Sequence, residues 1–266
     1  MIRTMIYALA ALRWVGPLGA QMVLGGATPP AGVDAFARVD SLYISFDPCA
    51  SLEAAEALAT ADSGDVGAAW RAARAAVALG MLAEEEAQQN AWYLRGEVHA
   101  ARAVAADSLS LDALFWFTAA KGQLAVQASV RDAARLGQEV WRLAHRMLAI
   151  DPDHAGAHNV LGRLQYEVMT LSRIERFLAR MILGSNEALR SSSWEGAERH
   201  QLRAVALDPE QILYRYDLAR IHMRRGRPRE AEAELGTALA LPARTPPDFR
   251  IHTDARRQLA RLEARR

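Results

Sequence analysis

A proline that is followed at a fixed distance by a leucine and a small residue recurs along this chain. This pattern restricts the fold more than any other feature. Pro152 precedes a Leu-Gly pair at 161–162, and Pro209 precedes a Leu-Ala pair at 218–219 by the same distance. Small residues at such points let two helices cross closely, where larger side chains would push them apart. The pattern is typical of tetratricopeptide (TPR) repeats, which are stacked helix–turn–helix units of about 34 residues.

Earlier residues continue the repeat with longer units. Alanine and leucine dominate the composition, which favours helix, and the small-residue phase extends backwards to unit boundaries at Ser63 and Ser108. The third full unit holds about 23 residues more than the standard repeat. We therefore predict an all-α, TPR-like solenoid of about five helix pairs over 34–266, with an inserted helix at 172–184 and a capping helix near 247–264.

Residues 1–20 have the layout of a secretory signal. Arg3 provides a basic start, an apolar core follows, and small residues precede Gln21. We expect residues 1–20 to be a signal peptide and 21–33 to be a linker, which predicts a periplasmic or secreted protein. An uncleaved anchor and a cytoplasmic protein with an irregular start are the alternatives.

The composition excludes several classes of protein. The 32 basic and 31 acidic residues nearly cancel, so the net charge does not favour nucleic acid as a partner. The single cysteine, Cys49, excludes intrachain disulfides, and we expect it to be a buried small hydrophobic residue. The sequence contains no nucleophile elbow, phosphate-binding loop or dinucleotide fingerprint, so we predict a protein that is not an enzyme and needs no cofactor.

His154 and His158 lie one helical turn apart, a spacing that can bind zinc. The residues between them lack the glutamate that serves as general base in zinc proteases. Asp151 and Asp153 just before them favour a helix N-terminus electrostatically. We therefore predict no metal site.

In stacked repeats, the first helix of each pair lines the concave side, and we expect a binding groove there. The repeat phase gives aromatic or polar residues at the fifth position of these helices and mostly arginines at the ninth. The predicted groove residues are Trp70, Arg74, Phe115, Asn159, Arg163, Tyr166, Tyr216 and Arg220. Arginine forks beside aromatic faces suit an acidic peptide, a terminal carboxylate or a phosphate. The competing interpretation is that these arginines cover apolar surface and pair with acids on adjacent helices.

The insertion carries the pattern of a basic amphipathic helix. Ser172 can cap this helix and Gly184 can end it. Its apolar residues recur at helical spacing and are Ile174, Phe177, Leu178, Met181 and Ile182. Such a stripe most often packs on its own domain, and the alternatives are contact with a lipid or membrane surface and contact with a partner protein.

Several motifs resemble the regulator of microtubule dynamics family. They are Trp70-Arg71-Ala72-Ala73-Arg74, Trp116, the run from Asp151 to Tyr166 that contains Leu161-Gly162-Arg163, and Leu171-Ser172 with Leu183-Gly184. The insertion also falls where that family carries one. The resemblance covers roughly residues 34–245 and implies an all-α, TPR-like domain without known catalysis. It further implies an association of animal members with microtubules, mitochondria and membrane contact sites, and phospholipid binding in one branch.

The function predicted from these features is that of a non-catalytic scaffold for protein–protein interaction. Its concave groove would bind an acidic or extended peptide segment, so the expected partner is a protein or peptide and not nucleic acid. The alternative is a phospholipid-binding or membrane-surface protein that uses the inserted helix. The 13 arginines and 7 acidic residues of 211–266 suit an anionic lipid or a nucleic acid, or simply a polar capping helix.

Overall fold

Helices follow one another along the described residues, with no strand among them. The computed structural model describes residues 35–172, 176 and 186–264, which lie in the compact unit beginning at Asp34. The helices are α1 (Ala35–Ile44), α2 (Pro48–Ala61), α3 (Val66–Leu82), α4 (Glu86–Ala106), α5 (Leu111–Gln127), α6 (Val130–Ile150), α7 (Ala155–Thr170), α8 (Glu187–Ser191), α9 (Trp194–Leu207), α10 (Ile212–Arg224), α11 (Pro228–Ala240) and α12 (Asp248–Glu263).

Polar caps and turn residues set the helix boundaries. Asp65 accepts a hydrogen bond from the backbone N–H of Ala68 at the start of α3, which satisfies a donor that has no partner inside the helix. Between α10 and α11, Gly226 adopts a φ of 71° and Pro228 begins the next helix. A glycine in the left-handed region followed by a proline thus makes the turn between these paired helices.

The helices stack as pairs. The first helices of successive pairs, α1, α3, α5, α7 and α10, pack side by side, and their partners α2, α4, α6, α9 and α11 form a second layer. Gly162 lies where α7 crosses α9, and a Cβ atom there would be 3.2 Å from the backbone oxygen of Ala197. Small residues thus occupy the crossings that the recurrent pattern indicated, and the predicted helix-pair solenoid is confirmed.

The core is a row of small apolar clusters, one at each junction between helices. Leu114, Met147 and Leu161 fill the junction of α5, α6 and α7, and Ala219 packs on Leu235 between α10 and α11. Each cluster joins neighbouring helices, so the stack is stabilised mainly by contacts between adjacent units.

Lys121, the only lysine of the chain, is buried on α5. Its Nζ atom lies 2.7 Å from Oε1 of Glu97 on α4 and 2.7 Å from Oε2 of Glu139 on α6. Burial alone would lower the pKa of Lys121, but the two carboxylates raise it above its ordinary value. The ammonium group therefore stays charged and ties three consecutive helices together.

The two ends of the stack touch each other at a contact that we call the seam. The seam consists of Phe46, Met81, Ala83, Phe249 and Arg250. Nη1 of Arg250 on α12 donates hydrogen bonds to the backbone oxygens of Met81, at 2.6 Å, and Ala83, at 3.0 Å. The rings of Phe46 and Phe249 have centroids 4.8 Å apart. The capping helix thus returns to the first full repeat of the chain.

Some expectations are corrected by the structure, and others fall on residues that it does not describe. Cys49 is exposed, contrary to the expectation, because α2 turns Pro48 and Leu52 inwards and leaves the first-turn position of Cys49 on the outer side. The predicted signal peptide and linker lie outside the described residues. So does the inserted helix, apart from Ser172 and Arg176, including its five apolar residues. Within the described part of the chain, no helix has the length and apolar character required to cross a bilayer.

Candidate binding groove

The repeat phase places the predicted groove residues at equivalent points of the first helices. Trp70, Phe115, Asn159 and Tyr216 are the fifth residues of α3, α5, α7 and α10, and Arg74, Arg163 and Arg220 are ninth residues. Because these helices pack side by side, the residues form rows across one wall of the stack. The structure thus shows where each side chain lies, while binding by this wall stays a prediction.

An open cleft with a volume of about 290 Å³ is lined by residues of α3, α5 and α10 and of the start of α7. It brings together three predicted residues, Trp70, Arg74 and Phe115, and adds residues that sequence reasoning did not assign to the groove. These are Asp112, Trp116, His154, Gly156 and Tyr214. A Cβ atom at Gly156 would lie 2.5 Å from the ring of Phe115, so the glycine makes room for that ring. The cleft therefore combines aromatic walls with one guanidinium and one carboxylate.

Arg74 shares a carboxylate with a second arginine. Its Nη2 atom lies 2.6 Å from Oδ1 of Asp40, while Arg71 donates to both oxygens of the same group. Burial alone would raise the pKa of Asp40, but the two guanidinium groups hold it below its usual range. One carboxylate thus faces two guanidiniums. The Nε atom of Arg74 has no hydrogen-bond partner among the described residues.

A buried carboxylate, Asp217 on α10, organises the centre of the wall. Arg220 donates to Oδ1 of Asp217 at 3.2 Å and to Oε1 of Glu167 at 3.1 Å. The Nε atom of Arg163 lies 3.6 Å from Oδ2 of Asp217, which is longer than a hydrogen bond. Arg163 and Arg220 therefore converge on one acid, as the competing interpretation of these arginines expected, but Arg163 is held far more loosely.

Three of the predicted groove residues make contacts with other side chains of the protein inside the wall. Asn159 is 3% exposed, and its amide donates to Gln201 at 3.3 Å and to Asp217 at 3.0 Å. Tyr166 is buried under the guanidinium of Arg220, which lies 4.3 Å from its ring centroid. Tyr216 packs against the clusters between α10 and α11. The repeat phase assigned Asn159 and Tyr216 to fifth positions, but it could not show that these side chains hold the helices together.

The two histidines near the start of α7 make contacts within the protein. Nδ1 of His154 accepts a hydrogen bond from the backbone N–H of Ala157 at 3.0 Å and so caps α7. Burial lowers the pKa of His154, which favours the neutral ring that this cap requires. His158 contacts His200 on α9. Across the described residues, no group of three or more potential ligands is arranged to hold a metal ion.

Comparisons with known proteins agree with this architecture. A family model described as regulator of microtubule dynamics protein 1-3 matches residues 35–263. Regulator of microtubule dynamics protein 3 from Rattus norvegicus is 26% identical over 186 residues, which are 70% of this chain and 39% of the rat protein. The protein of the same name from Bos taurus shows the same identity and coverage. The chain thus matches about two fifths of the length of these relatives.

A solved structure shows the same fold. The crystal structure of a thermophilic TPR protein from Thermus thermophilus superposes with a TM-score of 0.59 and 19% sequence identity, over 85% of this chain and 97% of that one. At this level of identity the likeness concerns the helical-repeat fold alone. The family model, in contrast, covers all the helices from α1 to α12, and the chain belongs to the regulator of microtubule dynamics protein 1-3 family.

Proposed function

We propose that this chain is a non-catalytic scaffold that binds an extended acidic peptide segment along the wall formed by α3, α5, α7 and α10. The observation that carries the proposal is the state of Arg163. Its side chain is 28% exposed, and its guanidinium donates no hydrogen bond to any described residue. A guanidinium fork on a helix, without a hydrogen-bond partner among the described residues, is suited to hold a carboxylate by two parallel hydrogen bonds.

The electrostatics of Asp217 support this role for Arg163. Arg220 and Asn159 already donate to both oxygens of the buried Asp217 carboxylate. Arg163 is therefore not needed to satisfy that acid, and its charge remains available to a ligand. A peptide carboxylate bound there would gain a charge-assisted hydrogen bond without breaking one inside the protein.

The cleft supplies the second contact of the proposed site. Arg74 brings a guanidinium whose Nε atom has no partner among the described residues, and Trp70 and Trp116 offer aromatic faces beside it. An extended segment with two separated acidic residues could reach both arginines, with an apolar side chain between them in the cleft. The helices are fixed before binding, so the ordering cost falls mainly on the peptide.

The proposal is tested by fluorescence polarisation with a labelled peptide in which aspartate and glutamate alternate with glycine. Arg163→Ala should weaken binding by about tenfold, since one charge-assisted contact is lost. The fold is expected to survive because Asp217 keeps Arg220 and Asn159 as partners. Arg203→Ala is the matched control, because Arg203 is an exposed arginine on α9 that pairs with Asp153 away from the wall. Equal affinities of the Arg163 and Arg203 variants would refute the proposed site.

Phospholipid binding is the competing function, and its predicted helix lies outside the described residues. Native mass spectrometry of gently purified protein separates the two functions. A co-purified mass that matches a phospholipid would favour the lipid alternative, whereas apo protein that binds the acidic peptide would favour the scaffold. We also propose that residues 1–20 direct export, which is tested by N-terminal sequencing of the protein isolated from its native host.

A further inference from the structure

The outer side of α4 carries apolar residues that no other described helix covers. Leu94 and Val98 are 52% and 53% exposed, although both are large aliphatic side chains. Ala87, Ala91 and Ala105 are exposed on the same side. The opposite side of α4 packs on α3, where a Cβ atom at Gly96 would lie 3.3 Å from the backbone oxygen of Ala73. Helix α4 thus has apolar residues on two opposite sides.

The spacing of the exposed residues is that of a coiled coil. Together with the half-buried Ala101, they recur at alternating intervals of four and three residues. The stripe consists of Ala87, Ala91, Leu94, Val98, Ala101 and Ala105. In heptad notation Val98 occupies an a position and Leu94 a d position. A β-branched residue at a with leucine at d favours a parallel coiled coil of two helices. The alanines at both ends allow a second helix to approach closely.

The charges that flank this stripe are complementary to those of a parallel copy. Glu97 lies at a g position on the side that faces α6, and Arg102 lies at an e position on the side that faces α2. In a parallel pair, a glutamate at g meets the residue at the following e position of the other helix. That residue is Arg102, which is exposed and has no ion pair among the described residues.

The helices beside α4 extend the same complementarity. Glu53 is exposed on α2, and Arg135 and Arg142 are exposed on α6. The bond between Arg95 and Glu56 places α2 on one side of α4, and the Lys121 bridge places α6 on the other side. A two-fold axis parallel to α4 would bring the α6 side of one copy against the α2 side of the other, so that Glu97 faces Arg102 and the arginines of α6 face Glu53. An antiparallel pair would instead set acids against acids and arginines against arginines.

We propose that the outer face of α4 binds a second copy of this chain, with the two α4 helices parallel about a two-fold axis. The interface is self-complementary, as a two-fold contact must be. It lies on the opposite layer from the proposed peptide-binding wall, so the two proposals stand or fall separately. Because only two large aliphatic residues per copy lie at its centre, the contact is small, and the dimer forms reversibly with concentration.

The first test is analytical ultracentrifugation from low micromolar to submillimolar protein. The unmodified chain should shift from monomer to dimer over this range. Val98→Glu should raise the dissociation constant at least about tenfold, since two carboxylates would meet at the centre of the contact. Leu202→Glu is the matched control, because Leu202 is 48% exposed on the corresponding outer helix α9 and should leave dimerisation unchanged. A chain that remains monomeric at every concentration, or an equal effect of both variants, overturns the proposal.

The second test determines the direction of the helices. Leu94→Cys is made in a Cys49→Ser background, so that position 94 carries the only thiol, and the protein is treated with a mild disulfide-forming oxidant. A parallel pair brings the two cysteines at position 94 together and gives a covalent dimer on a non-reducing gel. Leu202→Cys in the same background should remain a monomer. A reversible dimer that shows no cross-link at position 94 would overturn the parallel arrangement.

Discussion

The Nδ1 atoms of His158 and His200 lie 3.0 Å apart, which joins α7 to α9 through two imidazole rings. Nε2 of His158 also lies 3.0 Å from the backbone oxygen of Pro152. A carbonyl oxygen can only accept, so Nε2 of His158 carries a hydrogen and donates it to Pro152. In the neutral ring, Nδ1 of His158 is then the acceptor, and His200 donates its Nδ1–H to it.

This pair predicts that the protein loses stability in mildly acidic solution. Burial, followed by the nearby charge of His158, lowers the pKa of His200 from 6.5 to about 4. Below pH 6.5 His200 binds a proton in the unfolded chain, whereas in the folded chain it stays neutral until the pH approaches about 4. The stabilising contribution is therefore complete above pH 6.5 and is lost as the pH falls towards 4. Urea denaturation at several pH values should show the free energy of unfolding decreasing across this window.

The control for this effect is His200→Gln, which keeps a polar side chain but cannot titrate. Its free energy of unfolding should depend less steeply on pH than that of the unmodified protein. The difference between the two slopes should approach the value for the uptake of one proton on unfolding. The remaining slope belongs partly to His154 and His222, whose pKa values burial also lowers. Identical slopes for the two proteins would show that His200 does not contribute.

Two glycines on similar helices should respond to alanine in opposite directions. At Gly162 an added Cβ atom would lie 2.7 Å from Oε1 of Gln201 and 3.2 Å from the backbone oxygen of Ala197. Gly162→Ala should therefore lower the free energy of unfolding by about 1–3 kcal/mol through overpacking. At Gly236 on α11 no atom lies within 4 Å, so Gly236→Ala should raise it by about 0.5–1 kcal/mol. Urea denaturation of both variants measures the contrast, and a stabilised Gly162 variant would contradict the close crossing of α7 and α9.

Removing the acid at the centre of the wall should cost far more than removing the looser of its two arginines. Asp217→Asn would leave the charges of Arg163 and Arg220 opposite a neutral amide, and we expect a loss of about 3 kcal/mol. Arg163→Ala should cost less than about 1 kcal/mol, because its charge lies 3.6 Å from an acid that keeps other donors. Chemical denaturation of the two variants checks this order. The reverse order would mean that Arg163 is a structural residue and not an available donor.

The seam predicts a coupling between helices that are distant in the sequence. Arg250→Gln removes a guanidinium that donates to two carbonyl oxygens at the end of α3, and we expect a loss of about 1 kcal/mol. Hydrogen exchange should become faster at both the end of α3 and the start of α12. Arg257→Gln is the control, since Arg257 on the same helix bonds to no described residue other than Asp254. Faster exchange in α12 alone would show that the seam does not connect the two ends.

The sequence predicted those parts of the structure that depend on neighbouring residues. Small residues at fixed spacing indicate helix crossings because only they fit there, and this gave the pairs and the fifth and ninth positions. The turn at Gly226 obeys a local rule of the same kind, since a glycine in the left-handed region ends one helix and a proline begins the next. Cys49 was misjudged because its residue type, rather than its place on α2, was taken to decide its burial.

Contacts between distant residues could not be predicted in the same way. Asp217 lies in a run that reads as an ordinary helix, and only the packing of α7, α9 and α10 brings Asn159, Gln201 and Arg163 to it. The seam is a further case. Whether α12 reaches α3 depends on small rotations that accumulate from unit to unit, and no single position of the sequence records their sum.

The position of Lys121 has a consequence for how this protein can be modified. Since the only ε-amino group of the chain is enclosed by two carboxylates, acetylation, ubiquitin transfer and amine-reactive labels find no open lysine on the folded protein. All the other basic side chains, apart from the histidines, are arginines, which keep their charge across the physiological pH range. The positive charges of the arginines are therefore permanent, and enzymes that act on lysine cannot tune them.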